Sequence, residues 1–162
     1  MSFTVTGLSP DPFRHLYGLP DAELAAHRAR RVIAGESGFP ERIELRDASP
    51  GEALLLVNYE HQDADTPYRS SHAVYVREGA TAAWSGDEIP EVMRKRLLSL
   101  RAFSADGMMV EADVVDGADA EQLIERQFAN SRVAYIHAHY ARPGCYAARI
   151  DRVAPDFLGE GI

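Results

Sequence analysis

The stretch VAYIHAHYARPGCYAARID, residues 133–151, reads as two strands folded back on one another. VAYIHAHY and CYAARID are apolar and aromatic runs of strand length. Between them, Arg142-Pro143-Gly144-Cys145 suits a type II turn, with proline preset at the second position and glycine supplying positive φ at the third. Side chains alternate across a strand, so Tyr135, His137 and His139 share one face. If Arg142 pairs with Cys145, His139 lies opposite Ala148 and His137 opposite Ile150. One face then carries Tyr135, His137, His139, Tyr146 and Ile150. The other carries Ile136, Ala138, Cys145, Ala147 and Arg149. Pro-Gly turns splay a two-residue hairpin, which leaves a bulge as the alternative register.

Outward from this ribbon, the chain repeats the pattern of strands joined by turns. LLSLRAFS and MMVEADVVD flank Ala105-Asp106-Gly107, a second hairpin in which Asp-Gly takes the required positive φ. RIELRD and EALLLVNYEH flank Ser49-Pro50-Gly51 as a third, and HAVYVRE follows the polar loop QDADTPYRSS. Phe3 and Val5 alternate with Thr4 and Thr6 as a short strand, followed by the Pro-rich connection SPDPFRHLYGLP. Helical spacing predicts a helix from Asp21 through Val32 and Ile33 to Gly35, a short one over Ile89 to Arg96, and a clear one from Asp119 to Asn130. In the last, Ala120, Leu123, Ile124, Gln127 and Phe128 recur at the period of a buried stripe, with acids at its positive end. Regular strand–helix alternation is missing, so the expected class is α+β. The expectation is a single compact domain over residues 1–155, a largely antiparallel sheet with two main helices and one short helix, and a loose tail over 156–162.

The 162 residues are 46% hydrophobic and carry a net charge of -8. A chain of this length buries enough surface to fold without staples. The acidic balance, with pI near 5.2, argues against a nucleic-acid partner. No apolar run approaches the roughly 18 residues of a membrane span, so no membrane partner is expected, and MSFTVTGLSPDP lacks the marks of a secretory signal. A single cysteine fits a reducing cytoplasm. Lys95 is the sole lysine among 17 basic residues, which leaves arginines as the planar forks for carboxylate or phosphate. Nucleotide-binding glycine loops, a Gly-x-Ser-x-Gly elbow and Cys-x-x-Cys pairs are all missing.

The ribbon holds two histidines, three tyrosines, two arginines and the only cysteine within residues 135–151. His137 and His139 are candidate proton carriers, since imidazole titrates near neutrality. Cys145 is a candidate nucleophile, although the register above points it away from both histidines; free cysteine otherwise packs as a small hydrophobe. His-x-His can supply two metal ligands, but a third must come from His61, His72, Glu60 or Asp63, none at a diagnostic spacing, so no metal set is assigned. Thr66-Pro67-Tyr68-Arg69-Ser70-Ser71-His72 is the second concentration of polar groups. There Tyr68, Arg69 and Ser70 are candidate ligand contacts, joined by Arg142 and Tyr146 from the ribbon. The alternative is that Arg69 pairs with an acid and the serines satisfy their own loop. Arg101, mid-strand among apolar neighbours, needs a partner, for which Glu111 is the candidate. Trp84 reads as packing.

ELRDASPGEALLLVNYEHQ, DTPYRSSHAVYVREG, RAFSADGMMVEADVVDG and VAYIHAHYARPGCYAARIDR, in that order, resemble the bacterial domain of unknown function family 1203. The resemblance spans roughly residues 40–152 and implies a compact bacterial protein, with no activity, cofactor or catalytic residue attached. Two segments depart from the family pattern. Pro40-Glu41-Arg42 stands where relatives often read Pro-Cys-Arg, which removes any role for a second cysteine. Ser71-His72-Ala73 stands where they often read Ser-Gly-Pro, which demotes His72 and favours Arg69 and the ribbon. Three functional readings follow: a small-molecule site for a polar or anionic ligand, enzymatic or not; an interaction module or homo-oligomer without a catalytic site; and a metal-dependent enzyme. No cofactor is specified.

Overall fold

The structure, a computed structural model, describes residues 2–153. The expected tail over 156–162 lies outside them. In chain order the elements are β1 (Phe3–Thr6), α1 (Asp21–Ala26), β2 (Arg30–Ile33), β3 (Pro40–Glu41), β4 (Arg46–Asp47), β5 (Ala53–Gln62) and β6 (Ser70–Arg77). They continue with β7 (Ser85–Gly86), α2 (Glu91–Arg94), β8 (Leu97–Phe103), β9 (Met109–Asp116), α3 (Ala120–Phe128), β10 (Tyr135–Tyr140) and β11 (Tyr146–Arg152). The strands form two sheets, ordered β7-β1-β11-β10-β8-β9 and β2-β5-β6-β3-β4. All pairings are antiparallel except a single parallel contact between β3 and β6. The α+β class stands, with two sheets in place of one. Among the described residues no helix is long and apolar enough to cross a membrane.

The helices differ from expectation in number and length. α1 stops at Ala26, and Arg28, at φ 57, turns the chain so that Arg30–Ile33 pairs with Leu56–Ala53 as an edge strand. Val32 and Ile33 are β-branched, and an open sheet edge offers their backbone a full ladder. α2 is one turn, with Pro90 at its N-cap. α3 is the one substantial helix, and Ala120, Leu123, Ile124, Gln127 and Phe128 are its buried stripe. Leu123, Ile124 and Phe128 each gain roughly 1.5–3 kcal/mol from burial, which offsets the marginal stability of so short a helix. Gln127 ties α3 to the sheet by donating to the Leu100 carbonyl at 3.1 Å. The Pro-rich connection holds a 3₁₀ segment, Asp11–Leu16, that buries Phe13 and Leu16.

Two hairpin readings also need correction. RIELRD is not one strand: β3 and β4 flank a tight reversal with Leu45 at φ 50. The buried Glu41 carboxylate organises that reversal, accepting the amides of Ile43 at 2.7 Å, Glu44 at 2.6 Å and Arg77 at 3.0 Å. Ser49-Pro50-Gly51 turns the chain without pairing β4 to β5, because β4 lies at the sheet edge beside β3 while β5 sits between β2 and β6. The Gly51 amide instead bonds the Ala34 carbonyl. The β8–β9 hairpin turns at Gly107, φ +83, as its Asp-Gly requires.

One core lies between the six-stranded sheet and helices α2 and α3, built on Leu98, Leu100, Ala102, Ile124, Ile136 and Ile150. Trp84 packs against its edge. A second core gathers α1, the 3₁₀ segment and the inner residues of β5 and β6, and it reaches across to Tyr146 of β11. The opposite face of β10 and β11 is therefore closed over by the second sheet.

Candidate functional site

The β10–β11 register differs from the sequence expectation by one residue. Ala138 pairs with Ala148 and His137 with Arg149, after which a bulge at Ala147 places His139 opposite Tyr146. The turn is four residues long, Ala141 to Gly144, closed by Tyr140 N–H to the Cys145 carbonyl and Gly144 N–H to the Tyr140 carbonyl. Gly144 has φ +80. Arg149 thus joins the imidazole face and Ile150 moves to the core. Arg149 lies over the Tyr135 ring at 4.3 Å and pairs with Asp151 at 3.0 Å. Arg101 faces His137 from β8 and is opposite Ala112, not Glu111. Its Nε reaches Ser99 Oγ at 3.3 Å, so the expected Arg101–Glu111 pair does not form.

The imidazole face meets the end of β5. His61 stacks on Tyr146 at 5.3 Å and stands edge-on to His139 at 4.9 Å and to His137 at 6.1 Å. One nitrogen from each of His61, His137 and His139 lies within 4.8 Å of the other two. His72 closes the group, its Nδ1 3.4 Å from His61 Nε2; Ser70 Oγ lies at 3.4 Å from the same nitrogen. His137 and His139 are buried. Burial, helped by neighbouring positive groups, depresses His137 and His139 to about 3 and His61 to about 4. At neutral pH the rings are uncharged, so their chemistry there is lone-pair donation. His139 Nδ1 must carry the proton, because it donates to the Gly144 carbonyl at 3.0 Å and a carbonyl only accepts. Nδ1 of His61 and of His137 are buried without a hydrogen-bond partner among the described residues.

A separate cleft of about 660 Å³ opens on the other side of the β10–β11 turn. Its wall includes Arg42, Lys95, Arg96 and Arg142, with Tyr140, Cys145 and, as the single acid among the described residues, Asp116. Arg42 is only 2% exposed. Its guanidinium donates to the Tyr146 carbonyl at 2.8 Å, to the Pro40 carbonyl, and to Cys145 Sγ at 2.9 Å. Arg96 and Lys95 share Asp47, at 2.8 and 2.5 Å. The Tyr140 ring lies beneath the guanidiniums of Arg42 and Arg96, at 5.0 and 5.5 Å. Its hydroxyl is buried and has no partner among the described residues, and burial raises it to about 12. His72 lines this cleft as well as touching His61.

The residues singled out from sequence thus fall in three places. His137, His139 and Tyr146 form the buried aromatic cluster. Cys145 and Arg142 line the cleft. Arg69 lies outside both, paired on the surface with Glu60 at 2.6 Å; Tyr68 packs edge-on against Phe103, and Ser70 reaches His61. Arg42, Arg96 and Tyr140 carry no site assignment in the sequence, and His61 enters there only as one of four possible third metal ligands. Only tertiary assembly joins His61 to residues more than seventy positions away, and a lone Arg42 in a charged segment carries no signal.

By fold and site this is an α+β two-sheet protein with a buried histidine cluster beside a cationic cleft. The family model described as Protein of unknown function (DUF1203) matches residues 38–152, and the chain belongs to that family. The matched segment contains both the cluster and the cleft. No curated protein and no solved structure matches this chain.

Proposed function

We propose that the protein binds a small anionic molecule, a carboxylate or phosphate compound, in the 660 Å³ cleft. One observation carries this reading: in a chain of net charge -8, four basic side chains and one acid line the same concavity. Gathering cations on one wall is unfavourable through their mutual repulsion unless an anion offsets it. Asp47 neutralises part of the charge of Lys95 and Arg96. Arg142 is exposed and has no acid partner among the described residues, which leaves its planar fork available for an incoming oxyanion. Tyr140 and Cys145, the latter bonded by Arg42, line the same cleft, and the buried Tyr140 hydroxyl would be a neutral donor to an anion seated against it. The apolar wall at Leu56 and Tyr75 suits an organic body on the anion.

Thermal unfolding in inorganic phosphate and in a series of mono-, di- and tricarboxylates tests the proposal. A ligand at a hundred times its Kd stabilises by about 2.7 kcal/mol, or roughly 5–10 °C for a chain of this size. Arg142→Gln, at an exposed position, should keep the unliganded Tm and lose most of that gain. Equal shifts in both proteins, or none with any anion, would overturn the reading.

A further inference from the structure

The histidine cluster forms no part of that cleft reading and stands on different observations. We propose that His61, His137 and His139 bind one first-row divalent transition metal ion, of the zinc, nickel or copper type. Three nitrogen donors, one per ring, already lie within 4.8 Å of one another. Metal–imidazole bonds of about 2.0–2.1 Å require donors about 3.4 Å apart, so small rotations of the rings complete the site. The set contains no thiolate and no carboxylate, the donor chemistry that suits a borderline ion over calcium or magnesium.

The hydrogen bonds around the rings point the same way. Metal-bound histidines commonly donate their other ring N–H to a carbonyl or polar neighbour, which fixes the tautomer. His139 does this toward Gly144, leaving Nε2 as its donor. The His61 Nε2 edge faces His72 Nδ1 and Ser70 Oγ, while its Nδ1 has no partner. His137 Nδ1 is buried and unpartnered in a residue 3% exposed. Orphaned buried nitrogens are destabilising in a purely structural aromatic box, and coordination removes the penalty for a lone pair. His72 is then a positioning residue for His61. Three protein ligands leave at least one coordination position for water or an exogenous group, the arrangement of a catalytic rather than a closed structural centre.

The test uses the full chain without a histidine tag, stripped with chelator and titrated with Zn²⁺ by calorimetry. Co²⁺ serves as the spectroscopic probe of coordination. The expected result is one equivalent per chain, a rise in Tm on loading, and a Co²⁺ spectrum of nitrogen donors. His61→Gln, at the half-buried rim, should weaken Zn²⁺ at least a hundredfold. His72→Ala should weaken it about ten- to a hundredfold, as removal of an outer-shell partner does. His15→Ala/His27→Ala, which removes the neighbouring surface pair, should leave the stoichiometry unchanged. Failure of the wild type to bind Zn²⁺ and Co²⁺ stoichiometrically would overturn the proposal. So would undiminished binding by folded His61→Gln. Neither outcome touches the anion titrations, which are read on the chelated protein.

Discussion

Replacing Tyr140 by phenylalanine should make the protein more stable and a poorer binder. Tyr140 is 3% exposed, and its hydroxyl has no hydrogen-bond partner among the described residues. Leaving such a group buried and unsatisfied costs roughly 1–3 kcal/mol. Tyr140→Phe removes only that oxygen. The ring, and its stacking beneath Arg42 and Arg96, is retained. The expected gain is therefore about 1–3 kcal/mol, or some 2–4 °C in Tm per kcal/mol for a chain of this length. Urea unfolding should show a higher midpoint at an unchanged slope, since the surface exposed on unfolding is the same. Affinity for whichever anion protects the wild type should fall, because a hydroxyl donating to a charged oxygen contributes about 1.5–3 kcal/mol, a loss of roughly tenfold or more. A fall in stability of more than 1 kcal/mol would mean that the hydroxyl has a partner in the free protein, and the orphan argument would fail. Stabilisation with unchanged affinity would leave the packing argument intact and remove Tyr140 from the binding surface.

Two further substitutions probe the frame around the cleft. Glu41→Gln should destabilise by roughly 1–3 kcal/mol in urea, because an amide in place of the carboxylate turns an NH₂ toward backbone N–H donors; a neutral outcome would refute the role assigned to Glu41 in the β3–β4 reversal. Glu52, bonded to Arg46 at 2.8 and 2.9 Å and to the Ser49 amide at 2.7 Å, is held at about 2 against an ordinary 4.5. Its stabilisation is present above pH 4.5 and is lost as pH falls toward 2, since the unfolded carboxylate takes up its proton first. The pair is partly exposed, so the effect is at most about 1 kcal/mol; wild type and Glu52→Gln should draw together in stability below pH 4.5 and converge only as pH reaches about 2, and parallel pH curves would refute it.

The strands with one buried face were legible because alternation and turn chemistry agreed. Asp106-Gly107 marks the β8–β9 turn, and α3 buries the five residues its spacing marks out. The errors arose where tertiary context overrides local preference. Arg28 and Leu45 adopt positive φ without being glycine, and neither leaves a trace in composition. α1 lost its second half to the open edge of β5, an event that local helical spacing does not encode. The candidate site was half legible. Residues 135–151 carry its chemistry in one ribbon, but the partners His61, His72, Arg42 and Arg96 are brought in by two sheets whose packing no local pattern announces.

The bulge at Ala147 explains why one ribbon borders both the histidine cluster and the cleft. In the register below it, paired residues sum to 286: Ile136 with Ile150, His137 with Arg149, Ala138 with Ala148. Continued without interruption, that register would set Tyr140 opposite Tyr146 and Ala141 opposite Cys145. Tyr146 would then join the core face, and Cys145 would turn toward the imidazoles. The extra residue shifts the pairing, so that His139 meets Tyr146 and Tyr140 meets Cys145. Side-chain period two makes a one-residue slip exchange the two faces. The thiol is thereby sent to the cationic cleft with Tyr140, and the phenol of Tyr146 is sent to the histidines, where it stacks on His61. Thiolate is also a strong ligand for the metals that imidazole binds. Placing Cys145 on the far face keeps the nitrogen set free of sulfur, while His72 touches both the histidine cluster and the cleft.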